Sequence, residues 1–134
     1  MTFEQGPIRP PSEAGSLLLR FTRNCPWNKC TFCPIYKNNR FSRRTLSEIK
    51  QDIDSVAKMI QDLRAVSEQM GYGGRVSRQV LNSVLTSPAH DACFRHVAMW
   101  CFNGKGNVFI QDANSLVMST DALVEALSYL RNNV

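Results

Sequence analysis

The sequence lacks any apolar run of the roughly 18–20 residues that a membrane-spanning helix needs. It also lacks the pattern of a secretory signal, because MTFEQGPIRPPSEAGS has no basic start followed by an apolar stretch. We therefore expect a cytoplasmic protein with no membrane partner, whose thiols stay reduced. Internal repeats and low-complexity segments are absent too, and 134 residues are enough for one modest domain.

Acidic residues are absent from Ala14 to Ser47, although the whole chain has 11 Asp and Glu against 16 Lys and Arg. This acid-free stretch contains seven basic residues, so the net charge of +5 is concentrated on one part of the chain. Such a field would attract nucleic acid, a phosphorylated or carboxylated molecule, or an anionic metal cluster. A solvated surface without a partner would explain the same charge equally well.

Strands alternate with amphipathic helices along the chain, which predicts an α/β fold built from parallel βα units. The Pro- and Gly-rich residues 1–15 predict an extended N-terminal arm. Residues 16–70 and 107–134 predict a first and a second βα unit, and residues 71–106 predict a helical insert between them. Ligands of such folds bind beyond the carboxyl ends of the strands.

The elements within these units have local signals. Short apolar runs predict buried strands at residues 16–22 and 107–113. Three- and four-residue spacing of apolar side chains predicts a long helix after the first strand. The caps of the helices in the two βα units are predicted at Thr45, with Glu48 three residues on as in a capping box, and at Ser119 or Thr120.

Three of the five cysteines, Cys25, Cys30 and Cys33, lie in the loop after the first strand. An odd number of cysteines, three of them crowded, favours a metal or redox site over a disulfide framework. Three thiolates spaced Cys-x4-Cys-x2-Cys can converge on one metal centre. A cluster of four irons held by three thiolates would leave one iron open to chemistry.

A closed zinc site needs four ligands, so a zinc interpretation must recruit one more. The candidates all lie in the predicted helical insert. Core packing is the simpler role for the two insert cysteines, and helix packing or surface exposure is the simpler role for the histidine. These three residues are Cys93, His96 and Cys101.

The segment GPIRPPSEAGSLLLRFTRNCPWNKCTFC resembles the first strand and cluster loop of radical S-adenosylmethionine (SAM) enzymes. Phe32, an aromatic residue immediately before the last cysteine, is typical of their motif. The loop has four residues between the first two cysteines, where most of that superfamily has three. The segment NVFIQDANSLVMSTDALVEALSYLR resembles the second βα unit of the same fold, without its usual Gly-Gly-Glu.

The resemblance implies a mechanism. SAM would chelate the open iron of a [4Fe–4S] cluster, and one electron from a flavodoxin- or ferredoxin-type donor would cleave it to methionine and a 5′-deoxyadenosyl radical. The radical would abstract a hydrogen atom from a substrate that the sequence does not identify. The implied roles are cluster ligation by Cys25, Cys30 and Cys33, and contact with SAM by Phe32, Gln111 and Asp112.

Radical SAM enzymes have a partial (β/α)6 barrel, of which this chain would supply the first two βα units. We therefore expect a fragment, a truncated product or one part of a split protein, with the rest of the barrel as a candidate partner. The chain alone is expected to bind a cluster but to turn over poorly. Two alternatives stay open: a small zinc-binding module whose basic, aromatic-containing loop contacts nucleic acid, and an inactive remnant of the fold.

Overall fold

The computed structural model describes residues 2–7, 9–104 and 106–134. Within them the chain forms a small α/β protein with four α-helices and four short strands. Single 3₁₀ turns occur at Pro11–Glu13 and Ser115–Val117. The strands and helices are β1 (Leu17–Arg20), β2 (Thr22–Arg23), β3 (Ser42–Arg43), α1 (Leu46–Gln69), α2 (Arg78–Thr86), α3 (Ala92–Asn103), β4 (Val108–Gln111) and α4 (Thr120–Asn133).

β1 and β4 form a parallel pair, in which Leu17 lies opposite Val108 and Arg20 lies opposite Gln111. This confirms the prediction of parallel strands. The side chains of β1 are buried at Leu17, Leu18 and Leu19, as expected of a strand covered on both faces. Within the described residues no third strand joins this sheet, so the partial barrel and the unit boundaries stay predictions.

The predicted first strand, 16–22, changes its partner partway along. The N–H of Phe21 still donates to the Gln111 carbonyl on the β4 side, at 2.6 Å. Thr22 pairs with Arg43 of β3 in an antiparallel arrangement, while its carbonyl still accepts from the N–H of Asp112 at 3.1 Å. The single predicted strand is therefore wrong in extent, because its last residues belong to a second, two-residue strand.

The outer edge of β1, away from β4, is closed by side chains rather than by a strand. The backbone N–H of Leu18 donates to Nε2 of His96, on α3, at 3.2 Å. The carbonyl of Arg20 accepts from Nη1 of Arg44 at 2.8 Å. These contacts satisfy backbone groups that an edge strand would otherwise leave unpaired.

Helix α1 begins as its sequence predicts. The Thr45 hydroxyl accepts from the N–H of Glu48, and the Glu48 carboxylate accepts from the N–H of Thr45, which confirms the capping box. The apolar stripe of α1 faces the core that also includes side chains from α3 and α4. Its buried apolar residues are Ile49, Ile53, Val56, Met59 and Leu63.

The predicted insert is helical, with α2 and α3 on either side of Pro88. Ser77 and Asp91 cap the two helices by accepting from backbone N–H groups. Gly104 ends α3 in the left-handed conformation, at a φ of 67°. Although α1 runs for 24 residues, no helix in the described part of the chain combines the length and apolarity needed to cross a bilayer.

The N-terminal arm packs against the rest of the domain. Residues 2–7 have no helix or strand, but Phe3 is a buried member of the hydrophobic core. Its carbonyl accepts from Sγ of Cys93 at 3.5 Å. The arm is therefore part of the fold, where the sequence predicted only an extended segment.

Candidate functional site

The three clustered cysteines lie on residues 24–41, which we call the cysteine loop. The antiparallel pairing of β2 with β3, Thr22 with Arg43 and Arg23 with Ser42, closes this loop at its base. Because β2 follows β1 directly, the loop stands at the carboxyl end of β1. The loop contains no helix or strand. Loops longer than about 12–15 residues without secondary structure are uncommon and are usually functional or linkers.

Asparagines shape the cysteine loop. Asn24, Asn28 and Asn38 have positive φ values of 67°, 47° and 65°, a conformation that asparagine tolerates better than most residues. Nδ2 of Asn28 donates to the Tyr36 carbonyl at 2.8 Å, and Nζ of Lys37 donates to the Asn28 carbonyl at 3.0 Å. The two arms of the loop are thereby held to each other.

The thiols of Cys25, Cys30 and Cys33 are free and half-buried. The N–H of Asn28 donates to Sγ of Cys25 at 3.3 Å. Among residues 2–7, 9–104 and 106–134, no three Cys, His, Asp or Glu side chains are gathered closely enough to hold a metal ion. The donor chemistry fits an iron–sulfur cluster, since three half-buried thiols share one loop. The loop would have to change conformation so that the three thiols approach one another around the cluster.

Aromatic side chains of the loop divide into exposed and buried ones. Phe32 is 85% exposed, and Trp27 is 63% exposed with Nζ of Lys29 at 5.0 Å from its ring centroid. Tyr36 is buried and anchors the loop. Burial, followed by the Asp112 carboxylate, raises the pKa of Tyr36 to about 12. The phenol therefore stays protonated at neutral pH.

Asp112, immediately after β4, is joined to the base of the cysteine loop. Its Oδ2 accepts from Nη2 and Nε of Arg20, at 2.6 and 2.8 Å, and from the N–H of Asn24 at 2.6 Å. Its side chain is inaccessible to solvent. Its other oxygen, Oδ1, is buried without a hydrogen-bond partner in the described part of the protein.

The N-terminal arm covers the same strand end. Oε1 of the buried Gln111 accepts from the N–H of Gly6 at 2.7 Å, and its Nε2 donates to the Gly6 carbonyl at 3.3 Å. A Cβ on Gly6 would lie 1.9 Å from Oδ1 of Asp112, so only glycine fits this approach. Gln111 and Asp112 thus both lie beneath the arm, against Gly6, whereas Phe32 is exposed to solvent.

Much of the positive charge in the acid-free stretch is neutralised by acids from elsewhere in the chain. Glu4 forms ion pairs with Arg20 and Arg23, and Asp52 forms one with Arg44. The hydrogen bond from Arg23 is the main cause that lowers the pKa of Glu4. In the described structure four cations of the stretch have no ion pair: Lys29, Lys37, Arg40 and Arg43.

The three candidates for a fourth zinc ligand have other partners or surroundings. Cys93 donates to the carbonyl of Phe3. His96 accepts from the N–H of Leu18 on the outer edge of β1. Cys101 is half-buried against the core, and burial raises its pKa. The two cysteines pack as the simpler interpretation expected, whereas His96 contacts the edge of β1 rather than lying on the surface or only between helices.

Comparison of the chain with protein-family models, curated proteins and solved structures found no match. The resemblance to radical SAM enzymes therefore stays a hypothesis that depends on the residues themselves. Sequence reasoning missed four residues of the site, whose contacts join separate segments of the chain: Glu4, Gly6, Arg20 and Asn24. The only local signal was the glycine itself, within a Pro-rich segment.

Proposed function

We propose that the chain binds a [4Fe–4S] cluster through Cys25, Cys30 and Cys33, and that it is part of a radical SAM-type catalytic core. One contact carries the proposal: the N–H of Asn24, next to Cys25, donates to Asp112 at 2.6 Å. The loop after β1 and the residue after β4 thus meet at one end of a parallel pair. Ligands of parallel α/β proteins bind at that end.

The loop residues suit an anionic cluster. Three thiolates would hold three irons, and the N–H of Asn28 already donates to the sulfur of Cys25; such hydrogen bonds tune the potential of iron–sulfur clusters. The unpaired cations Lys29, Lys37 and Arg40 would offset the negative charge of the thiolates. When bound, the cluster would supply the single electron that cleaves SAM reductively.

Asp112 and Gln111 would hold the amino group of SAM. Oδ1 of Asp112 is a buried acceptor without a donor in the described structure, and an ammonium group is a strong donor for a carboxylate. Arg20 would keep Oδ2 in place while Oδ1 binds. Because Gly6 covers Oδ1, the arm would have to move aside before SAM binds.

The partners that we propose are an electron donor and further βα units. The exposed Lys29, Arg40 and Trp27 of the cysteine loop suit an acidic donor protein. The three residues of β4 that precede Gln111 are only half-buried, and β4 pairs with β1 alone among the described strands. A further parallel strand would complete the sheet on that side. The substrate has no assignment.

The test is metal analysis of the full chain after anaerobic reconstitution with iron and sulfide. We expect about four irons and four sulfides per chain, with the broad visible absorption of a [4Fe–4S] cluster. Cys30→Ser should abolish the bound iron and sulfide and the visible absorption. Cys101→Ser, a half-buried cysteine on α3, is the matched control and should keep them.

Two results would contradict the proposal. One is stoichiometric zinc with no visible absorption in the protein as purified from cells, which would favour the zinc-binding module. The other is equal iron content in Cys30→Ser and the unmodified chain, which would show that the iron is bound elsewhere.

A further inference from the structure

A cavity of about 300 Å³ lies between the segment before β1 and helix α3. Arg9, Arg95 and His96 are among the residues that line it. Met99 and Trp100 supply an apolar part of the wall. The volume is at the lower end of that of small-molecule sites.

The proton of the His96 imidazole can be assigned from its contacts. Leu18 is buried, so its backbone N–H needs an acceptor, which is Nε2 of His96 at 3.2 Å. A neutral imidazole that accepts at Nε2 has its proton on Nδ1. The ring is neutral at pH 7, because burial lowers the pKa of His96 to about 4.

Nδ1–H of His96 therefore faces another donor. Nη2 of Arg9 lies 3.2 Å from Nδ1, and a guanidinium can only donate. The two groups cannot satisfy each other while Nε2 is engaged by Leu18. An acceptor that approaches both from the cavity would satisfy the pair.

Arg95 adds a third donor without an acceptor. Its Nη2 donates to the Ser87 carbonyl at 3.0 Å, but its Nε is buried with no partner in the described part of the chain. The described residues that line the cavity include no Asp or Glu. The nearby carboxylate of Glu13 already accepts from the hydroxyl of Ser16, at 2.5 Å.

We propose that this cavity binds an oxyanion group, a phosphate or a carboxylate, through Arg9, Arg95 and Nδ1–H of His96. The side chains of all three residues line one cavity, where Nδ1–H of His96 faces a donor and Nε of Arg95 has no acceptor in the described structure. An oxyanion has enough lone pairs to accept from all three side chains. The neighbouring Met99 and Trp100 suit a ligand with a small apolar part. The site shares no residue with the cysteine loop, so it can be tested separately from the proposed cluster.

The test is an NMR titration of the full chain with inorganic phosphate and, separately, with acetate, at constant ionic strength in chloride. We expect saturable shifts of the Leu18 amide and of the His96 ring nitrogens. Each charged hydrogen bond removed should weaken binding about tenfold. Arg9→Gln and Arg95→Gln should both show this loss. Arg78→Gln, an exposed arginine on α2, is the matched control and should not.

The outcomes distinguish the alternatives. Saturation by both anions, weakened in the two cavity variants, supports a general oxyanion site, and saturation by phosphate alone supports a phosphate site. Shifts that never saturate, or an equal effect in Arg78→Gln, would overturn the proposal in favour of non-specific attraction to a basic protein. Failure of the cluster experiment would leave these results unaffected.

Discussion

The Arg20 guanidinium and the Asp112 carboxylate form an ion pair at the end of the parallel sheet, with Nη2 of Arg20 2.6 Å from Oδ2 of Asp112. The Asp112 side chain is fully buried and that of Arg20 is 15% exposed. Arg20 ends β1, and Asp112 follows β4. The pair therefore ties together the two segments from which the proposed cofactor site would be built.

Removal of Arg20 should destabilise the protein strongly. Arg20→Met would leave the Asp112 carboxylate buried without its cation, and a broken buried pair costs about 3–5 kcal/mol. Urea denaturation would measure the loss. The double variant Arg20→Met/Asp112→Asn removes both charges and should recover part of that free energy. Additive effects of the two single variants would contradict an energetic coupling between the residues.

Replacement of Gly6 by alanine should displace the arm. The new Cβ would lie 1.9 Å from Oδ1 of Asp112, so the backbone hydrogen bonds to Gln111 would be lost or distorted. We expect Gly6→Ala to lower the free energy of unfolding by about 1–3 kcal/mol. Gly15→Ala is the control, because its Cβ would meet only Asn103 Nδ2 at 3.6 Å. Equal effects of the two substitutions would show that Gly6 is not closely packed.

Stability should fall in acid as Glu4 is protonated. The hydrogen bond from Arg23 is the main cause that places the pKa of Glu4 below 4.5, its usual value. A carboxylate with a lowered pKa in the folded state stabilises the protein above its unfolded pKa, and this contribution is lost as the pH falls through the folded pKa. Glu4→Gln should therefore be less stable at pH 7 and should lose less stability below pH 4.5.

The measurement is the free energy of unfolding as a function of pH for both proteins. Glu125→Gln, which removes the partner of Lys50 on α1, controls for the change in net charge. If the free energy of unfolding declines equally steeply in acid for Glu4→Gln and the unmodified protein, Glu4 is not the cause of the decline.

His96 should produce a second loss of stability on acidification, which begins at a higher pH than the loss caused by Glu4. Burial lowers its pKa from 6.5 to about 4, so the unfolded chain binds a proton more readily than the folded one in that interval. The contribution of neutral His96 is complete above pH 6.5 and declines as the pH falls towards 4. His96→Gln keeps an acceptor for the Leu18 N–H but cannot titrate, so the free energy of unfolding should decline less between pH 6.5 and 4.

The same pH series measures this effect, and His90→Gln, which removes the other of the two histidines, is its control. If the free energy of unfolding of His96→Gln still declines as steeply between pH 6.5 and 4, another group is responsible.

Several elements could be predicted from the sequence because their causes are local. The capping box of Thr45 and Glu48 and the cap at Ser119 are confirmed, since a cap depends on residues within one helical turn. The strands and their parallel pairing followed from short apolar runs that alternate with amphipathic helices. The crowding of three cysteines on a loop after β1 is likewise readable from spacing alone.

The extent of the first strand could not be read in this way. An apolar run predicts burial but does not identify the partner that provides it. Thr22 pairs with Arg43, which is distant in sequence, and therefore leaves the strand that Leu17 begins.

The sequence by itself determined the helices, the caps of α1 and α4, the parallel strands and the grouping of three cysteines on one loop. Only the tertiary structure decided what surrounds that loop. Glu4 neutralises arginines from a stretch that has no acids, and Gly6 closes over Asp112. Arg20 and Asp112 are 92 positions apart. Local propensity and periodicity carry no information about such contacts, because burial and charge pairing arise only when distant segments are packed together.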